Sequence, residues 1–473
     1  MEPQRKLEPW IWVLIPLIFA PLLGVTHRPR GVDQAMNGAS TALRDGSPLG
    51  AARHLSWVAA ALPWRDSLWE QAGQSALEGG DFDAAIQYLE TAAATGHITP
   101  RGHASLGDAY RARGAWDAAI RNWEAALAGG VAPGPLHTRL LEAHRALKDY
   151  PAAIADLQAL AALDPDNAAT HYQLGLLLVA REPEAGLSYL LRAAELDDTL
   201  LETVRAIQHS LQPALETDNP AYALLNAGRA LASLNEWELA AEAFRQAIAA
   251  NPGFAEAWAF LGEAQQQLGQ DGTDALGTAL SLAPESLTAN LLTGLYFQRQ
   301  GDPVTALIYL ETADRLAPDN AAIVAQMAGV QAALGDINAA IAGFARAIEL
   351  APEDPSYLHL LAFYSIHNDI QIDEIGLPAA RKAVIMNGED PIALDLVGYA
   401  LHLGGDPASA LRFFFRALQA NPGYAPARFH LGLAYLAQGR VELAVQQFNL
   451  AIELAPDSLI AEQARSLLEH YVP

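Results

Sequence analysis

The chain of 473 residues contains no cysteine. That excludes a disulfide framework, a thiolate nucleophile and any cysteine-ligated metal. Basic residues are scarce: 29 Lys and Arg stand against 54 Asp and Glu, a formal charge of −25. Nucleic acid needs a basic surface, so that class of partner is excluded. Aromatic residues make up only 8%, which suits tightly packed helices with small residues at their crossings. The usual enzyme signatures are missing as well: no G-x-x-x-x-G-K-[ST] phosphate loop, no H-E-x-x-H pair and no G-x-S-x-G elbow. Neighbouring carboxylates such as Asp197-Asp198 and Glu353-Asp354 fall at turns, where they read as solvated helix caps. The sequence therefore offers no catalytic residue, no cofactor-binding residue and no cofactor.

What is present is repetition. A small residue recurs at Ala39, Gly73, Gly107, Gly175, Gly228, Gly262, Gly294, Ala328, Ala362, Gly398 and Gly432, mostly 34 residues apart or a multiple of it; Leu141 fills the one place between Gly107 and Gly175. A second row follows twelve positions on in the regular units, at Ala51, Ala85, Ala119, Ala153, Ala240, Ala306, Ala340, Ala410 and Ala444. Glycines at 46, 80, 114, 301, 335, 405 and 439 part the two runs of each unit. Prolines at 63, 165, 252, 284, 318, 352, 422 and 456 close it. Each row has a cause. Small residues let two helices approach, glycine takes the left-handed conformation that ends a helix, and proline cannot continue one. Neither amphipathic helix of a pair buries its apolar stripe alone, so each unit needs neighbours.

With these rows in view the chain resembles the tetratricopeptide repeat (TPR) family. The pattern is fullest in Leu261-Gly262, in Leu431-Gly432 with Tyr435, and in Ala240, Phe244, Ala247 and Pro252. It recurs in Ala340, Phe344, Ala347 and Pro352, and in Ala410, Phe414, Ala417 and Pro422. The resemblance spans roughly residues 34 to 456. It implies an all-α fold: a helix-turn-helix solenoid of about twelve repeats, coiled as a right-handed superhelix.

Three irregularities divide the array. Gly175 and Gly228 are 53 residues apart, nineteen too many, and Leu200, Leu201, Val204, Ile207 and Leu211 recur there at near-helical spacing. An extra helix is expected. The Gly262 unit is two residues short around 270–273, and the Ala362 unit two residues long around 370–376. The expected organisation is an N-terminal segment over 1–30, a first half of the array over 31–199, an inserted helix or joint over 200–219, a second half over 220–456 and a capping helix over 457–473.

The N-terminal segment holds a charge-free apolar run, Trp10 to Val25, between Arg5-Lys6 and Arg28/Arg30. As a helix it would rise roughly 24 Å, a little short of a ~30 Å hydrocarbon core. Thr26-His27-Arg28 is a poor cleavage site. The expectation is therefore a single N-terminal transmembrane or signal-anchor helix, a single-pass membrane location, and repeats on the extracytoplasmic side. His359, His367, His402 and His430 fall in three successive repeats. They lie on separate helices with no ligand spacing, so no metal site is expected.

In the TPR family the first helices line a concave groove that takes peptides. The residues three before, one after and four after the small residue face it. Carried over, early units give polar positions: Glu70, Gln74 and Leu77, then Ala104, Asp108 and Arg111, then Thr138, Glu142 and Arg145. The paired Lys and Asn clamp that some members use for a C-terminal carboxylate is missing here, so chaperone tails are not expected partners. Later units turn apolar: Leu291 and Leu295; Phe363 and Ile366; Tyr399 and His402; Phe429, Leu433 and Leu436. One unit between them offers only Ala325, Gly329 and Ala332. The expected function is a membrane-anchored scaffold that receives a partner helix or extended peptide segment on this face. The rival reading is a non-catalytic regulatory or substrate-recruiting subunit of an enzyme acting on envelope polymers or glycans.

Overall fold

Each repeat is built around a sharp reversal. At Gly80, Gly114, Gly301, Gly335, Gly405 and Gly439 the backbone takes φ between 71° and 84°, the left-handed region open to glycine. Where the glycine is absent, Lys148 (φ 58°) and Asn235 (φ 64°) take the same conformation. Aspartates then start the second helix. The carboxylates of Asp81, Asp149, Asp302, Asp336 and Asp406 accept from the amide three residues on, satisfying one of the orphan donors of a helix start.

The computed structural model describes residues 31–65 and 67–471, without the side chain of Tyr471. Among these residues there are twenty-six α-helices and no strand. The chain divides between Leu215 and Glu216 into two compact units.

The first unit contains five helix pairs: α1 (Val32–Arg44) with α2 (Pro48–Ala61), α3 (Ser67–Glu78) with α4 (Phe82–Ala94), α5 (Pro100–Ala112) with α6 (Trp116–Ala128), α7 (Pro133–Ala146) with α8 (Tyr150–Leu163), and α9 (Ala168–Val179) with α10 (Pro183–Leu196). A single 3₁₀ turn, Asp198–Leu200, leads into α11 (Leu201–Leu215). This is the inserted helix. It buries Val204, Ile207, Leu211 and Ala214 and packs on α10.

The second unit contains seven pairs: α12 (Pro220–Ser233) with α13 (Trp237–Ala250), α14 (Ala255–Gln267) with α15 (Thr273–Leu282), α16 (Leu287–Arg299) with α17 (Pro303–Leu316), α18 (Ala321–Ala333) with α19 (Ile337–Leu350), α20 (Pro355–His367) with α21 (Leu377–Met386), α22 (Pro391–Leu403) with α23 (Pro407–Ala420), and α24 (Ala425–Ala437) with α25 (Val441–Leu454). The last helix, α26 (Leu459–Tyr471), lays Ala461 and Ala464 on the end of the stack.

The small-residue row marks the crossings within pairs. A Cβ on Gly107 would stand 2.5 Å from the Trp123 indole, and one on Gly432 2.5 Å from the Phe448 ring. The second helix's largest side chain lies where the first helix has none. The short unit has its own close approach: a Cβ on Gly272 would be 2.3 Å from the Gly262 carbonyl oxygen. The long unit takes up its extra residues in a π-helical turn, Ile372–Gly376, which folds back over α20.

The expected anchor falls on residues 1–30, which lie outside the described residues. The single-pass membrane location requires correction. Among the described residues no helix is long and apolar enough to cross a membrane. The anchor, and with it the placement of the repeats relative to a membrane, is withdrawn.

Candidate functional site

Within the second unit successive first helices pack on each other: α12 on α14, α14 on α16, α16 on α18, α20 on α22, α22 on α24 and α24 on α26. The first helices thus line the tighter, inner side. From α16 to α24 that side is almost free of charge. The five first helices carry three charged side chains, Arg299, Asp395 and Arg428. All three are engaged. Arg299 donates to Gln266 (2.6 Å) and pairs with Glu263. Arg428 donates to Gln447 (3.1 Å).

Asp395 is 2% exposed and takes His430, itself 5% exposed, on both carboxylate oxygens at 2.9 and 3.0 Å from Nδ1. A ladder of rings covers this pair. Tyr399 stacks on His430 with centroids 4.1 Å apart and planes 10° apart. His367 follows at 5.1 Å from Tyr399, and Phe363 stacks on His367 at 4.0 Å. His402 lies 6.4 Å from Tyr399, its ring plane 18° from that of the phenol.

Burial sets the proton affinities of the ladder. It holds the His402 imidazole below its ordinary value, and the neighbouring His430 adds to that. It does the same for His367, against a carbonyl hydrogen bond from Phe363. It raises the Tyr399 phenol, with the Asp395 charge adding. Taking a charge out of water disfavours the ionised form, which is the common cause of all three shifts. Burial thus favours the neutral form of each of these rings.

The nine groove positions fare differently. Phe363 is 45% exposed. Leu291, Leu295, Tyr399, His402, Leu433 and Leu436 are partly exposed. Ile366, at 1% exposure, and Phe429, at 7%, are core residues and need correction. Ile366 is covered because the π-helical turn lies on it: a Cβ on Gly376 would come within 2.8 Å of its side chain. Phe429 turns instead to Phe448 of α25, at 5.7 Å. The Asp395–His430 pair escaped sequence reasoning. Its members are 35 residues apart, one repeat and one position, on neighbouring first helices; a search one residue either side of the repeat period would find it.

His359 and His367 share α20 rather than lying on separate helices, yet the four histidines have different partners. His359 lies 2.7 Å from the Asp390 carboxylate. His430 has Asp395, and His367 bonds the Phe363 carbonyl at 3.0 Å. The Nδ1 of His402 is buried without a hydrogen-bond partner. Among the described residues no group of three ligating side chains converges as a metal site requires. The Asp395–His430 pair has the form of half a charge relay. Tyr399 and Phe429 close over the imidazole, so no substrate reaches it.

Polar inner positions of the first unit are bonded within it. Glu70, 7% exposed, accepts from the Thr99 amide (2.8 Å) and hydroxyl (2.6 Å) and from Gln74 (3.1 Å). Asp108 takes the Trp123 indole (3.1 Å) and Arg139 (2.8 Å). Arg111 pairs with Glu142 (3.3 Å).

The tetratricopeptide repeat pattern matches residues 70–135, 142–180, 225–273, 297–362 and 401–470, in both units and over more than half of the chain. The chain is built of tetratricopeptide repeats. No curated protein matches it in sequence. Similar solved structures include a tetratricopeptide repeat protein from Parabacteroides merdae (17% identity, 54% of this chain and 99% of that one, TM-score 0.44). Yeast Tom70 is another (15% identity, 94% and 96%, TM-score 0.41). A third is YrrB, described as a TPR protein with an unusual peptide-binding site (21% identity, 41% and 98%, TM-score 0.31). At these identities and scores, what those proteins bind is not carried over.

Proposed function

We propose that the protein is a non-catalytic scaffold that binds another protein along the inner face of its second unit. The occupant is an uncharged face of a helix or an extended segment. The observation that carries this is the depletion of charge. In a chain with 83 ionisable Asp, Glu, Lys and Arg residues, the five first helices from α16 to α24 present none that is unengaged. They present instead Phe363, Leu360 (36% exposed) and the partly exposed leucines. Exposed apolar side chains gathered on one face mark an interaction site, and a helix or strand laid into a groove is a common way to fill it. The surface is preformed, so binding costs little ordering.

Cross-linking in cells followed by mass spectrometry names the partner, and calorimetry then measures its affinity. Phe363→Asp places a charge at the most exposed ring of the ladder. Affinity should drop at least about tenfold, the loss of one central anchor, with thermal stability unchanged. An identified partner that binds wild type and variant alike would remove the inner face from the account.

A further inference from the structure

Between α18 and α20 the packing of successive first helices is at its thinnest in the second unit. Ala325 and Ala328 of α18 still share a buried core with Leu358, Leu361 and Ala362 of α20, but the inner side is left open. The gap is a recess of about 280 Å³ lined by Ala325, Gly329, Phe344, Tyr357, Leu360 and Tyr364, with Gln298 and Gln326 at its rim. Its cause is the unit whose inner positions are all small.

Gly329 is the informative residue. It stands one place after the crossing residue Ala328, at an inner position where the other units carry Arg229, Glu263, Leu295, Phe363, Tyr399 and Leu433. A Cβ on Gly329 would meet nothing nearer than Gln298 Nε2, at 3.8 Å. Glycine inside a helix costs about 0.5–1 kcal/mol relative to alanine. The chain's own packing gives no reason to bear that cost here. The recess stays open through a residue the fold does not require.

We propose that this recess is the seat for one aromatic side chain of the partner, carried on a segment with no acidic residue beside it. This rests on the reading of the inner face as a protein-binding surface. The size fits: ligand pockets for small molecules begin at roughly 300 Å³, so a single ring suits it better than a whole cofactor. The walls fit too. Tyr364 and Phe344 already stack on each other at 5.0 Å, and rings favour such offset company. The charge fits a neutral occupant, since α18 and α20 contain no Asp, Glu, Lys or Arg. The amides of Gln298 and Gln326 at the rim are placed to take the backbone groups on either side of the ring.

The test is a phage-displayed library of random linear peptides panned on the full chain. Peptides that bind should share one Phe, Tyr or Trp with no Asp or Glu flanking it. Gly329→Trp fills the seat and should weaken them at least about tenfold, while Gly329→Ala leaves their affinity unchanged. A benzophenone put in place of the shared ring should cross-link to Tyr357, Leu360 or Tyr364 of the wild-type chain, a readout that does not depend on the folding of the tryptophan variant. Peptides that lose affinity with Phe363→Asp, ignore Gly329→Trp and cross-link elsewhere would overturn the seat and leave the inner face standing. If no peptide is enriched, or enriched peptides respond to neither substitution, both readings fall.

Discussion

The two units carry the same repeat, and α3, α5 and α7 of the first treat its inner face unlike α16 to α24 of the second. In the first, α3, α5 and α7 hold eight charged residues, and inner ones are bonded within the unit: Glu70 to Thr99, Asp108 to Arg139, Arg111 to Glu142. In the second, five first helices hold three charges, and the one carboxylate among them is sealed under Tyr399. The contrast shows that a repeat's framework and its inner face are separate problems. Small residues and turn glycines satisfy the framework in both units. The inner face is then free to be closed by polar bonds or left apolar for something else to cover.

The contrast is sharpest at its buried carboxylates. Removing Asp395 with Asp395→Ala leaves the His430 N–H buried without an acceptor, at a cost of about 1–3 kcal/mol. Urea denaturation should show that loss; a variant as stable as wild type would mean that the pair is not a structural bond.

Next comes pH. His402 is held below its ordinary value in the folded chain, so below pH about 6.5 the unfolded chain binds the extra proton first. Stability is then fully present above the unfolded value and declines as pH falls toward the folded one. Thermal melts across pH 7.5 to 5.5 should show the decline, and His402→Gln should make it shallower, with His367, lowered by the same burial, keeping the rest. An unchanged slope would relieve His402 of the role.

The smallest effect belongs to the first unit. Arg111 and Glu142 are 43% and 49% exposed, so Arg111→Ala should cost under about 1 kcal/mol. A larger loss by denaturation would mean that the polar inner face is a structural seam rather than a solvated one.

Much of the fold was legible because the constraint at each crossing is steric and local. A glycine opposite Trp123 or Phe448 leaves the same mark every 34 residues, and a sequence displays that directly. Phe363 was legible for the same reason, being placed by its distance from Ala362. Ile366 was not, since two inserted residues became a π-helical turn that covers it, and the shape of an insertion is not written in its length. Nor was the burial of Asp395 legible, three residues before Gly398, because a polar side chain at an inner position reads as wet. Only the structure shows that a histidine on the next helix has taken it inside.

The gap between α18 and α20 has a mechanical consequence. Elsewhere in the second unit each repeat is tied to the next twice, through its second helix and through its first. At this step the first-helix tie is at its thinnest in that unit, and the second-helix contact, α19 on α20, carries most of the join. A spring is compliant at such a turn, so a pull on the second unit would be felt at the place where its visitor would sit.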